Sequence, residues 1–118
     1  MIEYFDTDAT SPTDVKNAVA QAVSEFGKID ILVSNATYLP ALALFADAPL
    51  DDYWRAFEVN VKSGITVAQE ILKITSSNAA IINITAGIAR VHHNSFPGIL
   101  AYSASKLTVL SIVNFIQT

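Results

Sequence analysis

The chain has 118 residues, of which 52% are hydrophobic and 15% charged, with a formal net charge of −4 and no cysteine. This composition argues against disorder and indicates one domain with a buried core. The absence of cysteine excludes disulfides and thiolate metal sites, and the lack of a Lys/Arg cluster disfavours a nucleic-acid partner. No apolar stretch is long enough to span a membrane and the first residues do not resemble a signal peptide, so we expect a cytoplasmic protein.

The N-terminal part of the chain predicts a strand, a helix and a second strand. Residues 2–5 form a short apolar run that could end a buried strand. Ser11 is a suitable N-cap, Pro12 suits the first helical position, and Gly27 suits a helix C-terminus. The run over residues 29–33 is rich in branched aliphatic side chains, which is typical of a parallel strand covered on both faces.

The rest of the chain continues this alternation. Asp51 or Asp52 could cap a long helix, residues 79–84 form another buried run, and a helical pattern starts at Ala101. An alternating order of strands and helices indicates a parallel α/β sheet with right-handed crossovers. We therefore predict an α/β fold with a partial, doubly wound, Rossmann-like parallel sheet. It would contain three strands and three main helices in a single partial domain over residues 1–118.

Tyr102 and Lys106 are the first candidates for catalysis. They are four residues apart on the last predicted helix, so their side chains share one face. A free phenol is a poor acid or base near neutrality, and a cation held close to it favours the phenolate, which makes general acid/base catalysis possible. A tyrosine and a lysine at this spacing are more often simply solvated, so the pair alone is weak evidence.

Polar residues near the ends of the predicted strands strengthen the case. Asn35 follows one strand, and Asn83 and Thr85 lie at the end of the next. Ligands bind at the carboxyl ends of the strands in a doubly wound sheet. Asn60 interrupts the apolar pattern of the long helix, where a polar amide needs a partner. A satisfied core amide is the alternative interpretation of Asn60.

Taken in chain order, these segments resemble the short-chain dehydrogenase/reductase family over nearly the whole chain. Five motifs carry the resemblance: Asp8-Ala9-Thr10, Ser34-Asn35-Ala36-Thr37, Phe57-Glu58-Val59-Asn60-Val61, Ile81-Ile82-Asn83-Ile84-Thr85 and Ala101-Tyr102-Ser103-Ala104-Ser105-Lys106. The first resembles the family motif whose aspartate contacts the adenine, and the second resembles the asparagine motif that supports the cofactor site. The third resembles the segment with the helix asparagine of the catalytic tetrad. The fourth resembles the strand that carries the catalytic serine, and the fifth the Tyr-x-x-x-Lys signature.

The resemblance implies a catalytic set and a cofactor set. Tyr102 would exchange a proton with the substrate oxygen during hydride transfer, Lys106 would favour the ionised phenol and bind the nicotinamide ribose, and Asn60 would hold a water in a proton relay. Thr85 would supply the hydroxyl of the catalytic serine. The implied cofactor is NAD or NADP, the substrate a small alcohol or carbonyl compound, and the cofactor-binding residues Asp8, Asn35, Ala36, Tyr102 and Lys106.

The chain also departs from the family's pattern. Ala86 stands where many members carry the catalytic serine, and Thr85 is one residue earlier, although adjacent strand residues point to opposite faces. Thr37 replaces a glycine, which we expect to crowd a tight turn. His92 and His93 lie in the region of the substrate loop and could touch a substrate, but paired loop histidines are more often solvated.

The family's glycine-rich cofactor loop has no counterpart among the four glycines, and the strands that follow the Tyr102 helix are also missing. The resemblance therefore implies a central fragment, truncated at both ends. We expect NAD(P)-dependent interconversion of an alcohol and a carbonyl, impaired in these residues alone. One alternative is a non-catalytic remnant that associates with an intact relative, with the helices at 52–75 and 101–118 as the contact surface. Another is a nucleotide-sugar epimerase, which also uses Tyr-x-x-x-Lys.

Overall fold

The computed structural model describes residues 1–75, 78–87 and 97–114. The elements in chain order are α1 (Pro12–Phe26), β1 (Ile31–Ser34), α2 (Leu50–Phe57), a π-helical turn (Glu58–Lys62), α3 (Ser63–Ile74), β2 (Ala80–Asn83) and α4 (Leu100–Val113). The segments α2, π turn and α3 follow one another without a break and form one helix, called the long helix below. The α/β fold class and the three main helices are as predicted.

Local chemistry at the ends of α1 agrees with the sequence. The hydroxyl of Ser11 accepts a hydrogen bond from the backbone N–H of Asp14 at 3.3 Å, and Pro12 occupies the first turn. At the other end Gly27 has a φ of +81°, a conformation that glycine adopts without a steric penalty, and its N–H donates to the carbonyl of Val23.

The N-terminus of the long helix differs from the prediction. Its N-cap is Pro49, and no side chain caps it, whereas Asp51 and Asp52 lie in the first turn. Pro49 has a φ of −59° and its carbonyl accepts the first helical hydrogen bond, from Tyr53. The helix therefore starts before either aspartate, and the two carboxylates face the positive end of the helix dipole instead of capping it.

The sheet has two parallel strands in the described part of the chain, paired from Ile31 with Ala80 to Ser34 with Asn83. This register places Ser34 and Asn83 side by side at the carboxyl ends of the strands. The third strand predicted at residues 2–5 does not form. A strand needs a neighbour to satisfy its backbone hydrogen bonds, and the apolar character of residues 2–5 cannot replace that neighbour.

The helices cover one face of the sheet. The long helix contacts β1, α4 contacts β2, and α1 packs against α3. The buried apolar residues lie on these helices, and they are Val15, Ala56, Ala68, Ile71 and Val109. On the other face Ile31, Val33 and Ile82 remain 47 to 61% exposed, so the prediction that the strands are covered on both faces is wrong for these residues. Within the three described ranges no helix is long and apolar enough to cross a membrane.

Candidate active site

Tyr102 and Lys106 lie next to each other on α4. The Nζ atom of Lys106 is 5.8 Å from the centroid of the Tyr102 ring, as expected for an i, i+4 pair on one helix face. Lys106 is only 4% exposed, and its Nζ donates a hydrogen bond to the backbone carbonyl of Ile84 at 3.1 Å. The ammonium group is thus held between the tyrosine ring and the end of β2.

The environment of Lys106 is unusual for a lysine. Burial lowers the pKa of Lys106 from its usual value, because the charged form loses hydration. Among the described residues no carboxylate forms an ion pair with it. Its ammonium group has three donors, and the bond to Ile84 uses one of them. A partly desolvated cation with unused donors is suited to binding hydroxyl groups of a ligand.

Asn60 is buried inside the π turn and is hydrogen-bonded on all sides. Its Oδ1 accepts bonds from the N–H of Tyr38 at 2.6 Å and the hydroxyl of Thr37 at 3.2 Å. Its Nδ2 donates to the carbonyl of Tyr38 at 2.9 Å and to the hydroxyl of Ser105 at 2.8 Å. These bonds use the full capacity of the amide, so a water bound by Asn60 would have to use its backbone carbonyl.

The segment that follows β1 is fixed by this amide. Both backbone groups of Tyr38 bond to Asn60, and Thr37 contributes its side chain. Thr37 was expected to crowd the turn, but in the described residues no amino acid other than glycine has a positive φ. The hydroxyl that replaces the family's glycine therefore joins the hydrogen-bond network without backbone strain.

Ser105 is a site residue that the sequence analysis did not single out. It is completely buried, its hydroxyl accepts the bond from Asn60, and it donates to the carbonyl of Tyr102 at 2.7 Å. Ser105 therefore connects the long helix to the turn of α4 that carries Tyr102. The available signal was its position, because a serine three residues after Tyr102 must face the same side of the helix.

The long helix crosses the carboxyl ends of both strands. A methyl group added at Gly64 would lie 3.4 Å from Oγ of Ser34 and 3.9 Å from Oδ1 of Asn83. The π turn ends two residues earlier in the chain, at Lys62, and π turns inside α-helices are frequent at functional sites. The strand ends, the π turn and α4 therefore meet in one place.

Thr85 also lies at this meeting point. Its hydroxyl donates to the backbone carbonyl of Lys106 at 3.2 Å, so residues 84–85 and Lys106 exchange two hydrogen bonds. The structure thus brings together Tyr102, Lys106, Asn60 and Thr85, the four residues predicted to form the catalytic set. In this conformation the Thr85 hydroxyl is aimed at the α4 backbone.

The remaining cofactor candidates are exposed. Asn35 and Ala36 follow β1 directly, at the carboxyl edge of the sheet. Asp8 lies before α1, and its Oδ1 accepts bonds from the hydroxyl of Thr10 at 2.7 Å and its N–H at 2.9 Å. These bonds lower the pKa of Asp8, which keeps the carboxylate ionised. The prediction for His92 and His93 lies outside the described residues.

The chain is similar to known proteins of one family. The family model described as short chain dehydrogenase matches residues 1–117. The chain belongs to the short-chain dehydrogenase family. Among curated relatives, it is 36% identical over 108 residues to the uncharacterised short-chain type dehydrogenase/reductase y4vI of Sinorhizobium fredii, covering 92% of this chain and 19% of the relative.

Solved structures of short-chain dehydrogenases match as well. NAD+-bound xylitol dehydrogenase is 31% identical with a TM-score of 0.82, covering 90% of this chain and 40% of that one. A short-chain dehydrogenase from Burkholderia cenocepacia in complex with NADP is 28% identical with a TM-score of 0.81, covering 91% of this chain and 42% of that one. The chain thus spans less than half of the length of these family members.

The link between Asn60 and Ser105 can be tested by a double-mutant cycle. We expect Asn60→Ala to lower the free energy of unfolding by about 2–4 kcal/mol, because it leaves the partly buried backbone groups of Tyr38 and the buried hydroxyl of Ser105 without this partner. Ser105→Ala should lower it by about 1–2 kcal/mol, with a coupling energy of about 1 kcal/mol between the two sites. Urea denaturation followed by circular dichroism measures all three values.

Thr108→Val is the matched control for that cycle. Thr108 makes a similar bond to a carbonyl of α4, that of Ala104 at 2.9 Å, and none to Asn60. Its effect should add to that of Asn60→Ala within about 0.5 kcal/mol. If the effects of Asn60→Ala and Ser105→Ala on the free energy of unfolding are additive, the hydrogen bond between Asn60 and Ser105 contributes no coupling energy.

The lowered pKa of Lys106 predicts a pH-dependent stability difference. The folded state binds this proton more weakly than the unfolded state, whose lysine has the usual value of 10.5. The energetic cost of burying the charged lysine is fully present below the folded pKa and is relieved as the pH rises toward 10.5. Relative to Lys106→Met, the parent chain should therefore gain stability between neutral and alkaline pH.

Measuring free energies of unfolding of both chains across that range tests this sign. The same comparison with Lys16→Met, a substitution of an exposed lysine on α1, provides the control. If the free energy of unfolding of the parent chain minus that of Lys106→Met stays constant or falls as the pH rises, the pKa of Lys106 is not lowered by burial.

Proposed function

We propose that this chain carries the general acid/base residues of an NAD(P)-dependent oxidoreductase that interconverts an alcohol and a carbonyl. The observation that carries the proposal is the buried Lys106 ammonium 5.8 Å from the Tyr102 ring centroid, at the carboxyl end of β2. The family membership supports the oxidoreductase class. The substrate would be a small molecule.

In the proposed reaction Tyr102 gives a proton to the substrate oxygen during reduction and takes it back during oxidation. The nearby ammonium of Lys106 favours the ionised phenol, which lets the tyrosine act in both directions. Asn60 and Ser105 set the position of this pair: they hold the backbone of Tyr38 on one side and that of Tyr102 on the other.

Thr85 is proposed as the hydroxyl that orients the substrate oxygen. This role requires its bond to the Lys106 carbonyl, 3.2 Å long, to be exchanged for one to the substrate. Ala86 next to it has no polar side-chain group. Thr85→Val keeps the shape and removes the hydroxyl, so unchanged turnover of that variant, made in a chimera that restores the rest of the family sheet, would exclude Thr85 from the chemistry.

A nicotinamide cofactor fits the residues of the site. The unused donors of Lys106 match vicinal ribose hydroxyls, while Asn35 and Ala36 are exposed where β1 ends. Asp8 offers an ionised carboxylate that could accept a hydrogen bond from the adenine. When bound, the nicotinamide would supply or accept the hydride. The proposed cofactor is NAD or NADP.

These 118 residues alone should bind the dinucleotide weakly. They contain four glycines, at positions 27, 64, 87 and 98, so no cluster is available to wrap a pyrophosphate at a helix N-terminus. Among the described residues, nothing covers one face of the two-stranded sheet. We expect no saturable rise in nicotinamide fluorescence when micromolar NADH or NADPH is titrated with the chain. Saturable micromolar binding would contradict this part of the proposal.

A chimera tests the catalytic role directly. These 118 residues would replace the matching segment of the Burkholderia enzyme, which restores the rest of the family sheet. We expect nicotinamide-coupled carbonyl reduction by this chimera, and a loss in kcat/KM of about 10²- to 10⁴-fold in Tyr102→Phe, because the general acid is removed.

Tyr4→Phe removes the same hydroxyl from a tyrosine outside the candidate site, so it is the matched control and should retain the activity of the chimera. A Tyr102→Phe chimera that reduces carbonyl compounds as fast as its parent would refute the proposed function.

A non-catalytic remnant that associates with an intact relative is the second candidate. The observation in its favour is the apolar outer surface of the long helix, where Trp54 is 60% and Ile65 37% exposed, with Leu107 of α4 46% exposed. This surface would also suit a homo-oligomer through the predicted regions 52–75 and 101–118. Sedimentation of the purified chain with and without an intact family member distinguishes self-association from pairing. A chimera without turnover would leave this candidate as the better one.

A further inference from the structure

We propose that Lys106 is a nucleophilic amine that condenses with small aldehydes to form an imine. This activity goes beyond the proposed function, because it requires neither a cofactor nor hydride transfer. Only 4% of Lys106 is exposed, and its Nζ donates a hydrogen bond to the backbone carbonyl of Ile84 at 3.1 Å. The side chain is therefore held inside the fold, with its nitrogen next to the end of β2.

The other four lysines of the chain lie in different surroundings. Lys28, Lys62 and Lys73 each pair with a carboxylate, and their side chains are 54 to 77% exposed. Lys16 is exposed on α1. Within the described ranges no carboxylate pairs with Lys106. A carboxylate favours the ammonium form, which has no lone pair to attack a carbonyl, so Lys106 is the lysine best suited to act as a nucleophile.

Burial of Lys106 acts in the same direction. It lowers the pKa of Lys106, because the charged form loses hydration, whereas the hydrogen bond to Asp30 raises the pKa of Lys28. A neutral amine has two N–H groups and one lone pair, so Lys106 can lose a proton and still donate to the Ile84 carbonyl. Desolvated lysines of this kind are the nucleophiles of enzymes that form Schiff bases.

The residues that follow β2 give a small molecule a route to this nitrogen. Ile84, whose carbonyl binds the ammonium, is 42% exposed, and Gly87 is exposed as well. Beyond its chain neighbours, nothing in the described chain lies within 4 Å of the place where a side chain at Gly87 would begin. The Nζ of Lys106 thus lies beside a strand end that borders solvent. The low exposure of Lys106 itself restricts the reaction to small aldehydes.

Tyr102 supplies the acid that the condensation needs. Its ring centroid is 5.8 Å from the Nζ of Lys106. In the addition step the nitrogen lone pair forms a bond to the carbonyl carbon, the π bond of the carbonyl breaks, and the Tyr102 hydroxyl gives its proton to the oxygen. The phenolate then takes a proton from the nitrogen, and the product is a carbinolamine.

Loss of water completes the condensation. Tyr102 protonates the hydroxyl of the carbinolamine, the C–O bond breaks as the nitrogen lone pair forms the C=N bond, and water leaves. The last N–H proton returns to the phenolate. An amine and an aldehyde have become an imine and water without any change of oxidation state, so the reaction needs no oxidant or reductant.

Reductive trapping of the imine tests the proposal on the purified chain. Propionaldehyde is added at neutral pH with an excess of cyanoborohydride, so that imine formation limits the rate. After digestion with chymotrypsin, mass spectrometry measures the rate of propyl transfer to each lysine. We expect Lys106 to be labelled at least about threefold faster than Lys16, although Lys16 is easier to reach. The preference should disappear in guanidinium chloride, because it depends on the fold.

Tyr102→Phe tests the acid, since it removes the hydroxyl and keeps the ring. We expect this variant to label Lys106 at least about fivefold more slowly, with the rate at Lys16 unchanged. Tyr4→Phe is the matched control, because Tyr4 is 88% exposed near the N-terminus, and it should leave the rate at Lys106 unchanged. Circular dichroism establishes that both variants are folded.

Labelling of Lys106 at or below the rate of Lys16 would overturn the proposal, and so would a preference for Lys106 that persists in guanidinium chloride. An unchanged rate in folded Tyr102→Phe would overturn the role given to Tyr102. The outcome is separable from that of the proposed function. Preferred labelling of Lys106 together with an inactive chimera would support the imine chemistry and refute the oxidoreductase, and slow labelling with an active chimera would do the reverse.

Discussion

The buried amide of Asn60 is the constraint on which the site depends. It accepts and donates four hydrogen bonds at once, to the segment after β1 and to Ser105 on α4. Leaving this buried amide without its partners would cost about 2–4 kcal/mol, so the three parts of the chain cannot move independently. The network also fixes the position of Tyr102, because the hydroxyl of Ser105 donates a hydrogen bond to the Tyr102 carbonyl.

The buried ammonium group of Lys106 belongs to the candidate site and lowers the stability of the folded chain. Its ammonium is buried without a carboxylate partner in the described ranges and bonds to one backbone carbonyl. Such an arrangement is unfavourable for folding, since the charge loses hydration. Strained or underpaired charges of this kind cluster at functional sites, where a ligand supplies the missing hydrogen bonds. The network around Asn60 provides the rigid surroundings that keep the lysine in this position.

The site is assembled at the carboxyl ends of two strands, while much of the sheet surface stays open. Ser34 and Asn83 mark those ends, and the long helix passes close above them at Gly64. The face formed by Ile31, Val33 and Ile82 has no covering layer in the described chain. The chain spans less than half of the length of the compared solved enzymes, and the four residues proposed for acid/base chemistry lie together within that part.

The sequence by itself determined what depends on near neighbours. Ser11 and Gly27 end α1 for reasons of local backbone chemistry, and the spacing of Tyr102 and Lys106 places them on one helix face. Only the tertiary structure decided what depends on distant partners. Residues 2–5 have the composition of a strand, but the described residues offer them no neighbouring strand to pair with. The sequence indicated that the Asn60 side chain needs hydrogen-bond partners, but it did not identify them. Tyr38 lies 22 and Ser105 45 residues away from Asn60, and such pairs are chosen by how the long helix and α4 pack, which no local pattern encodes.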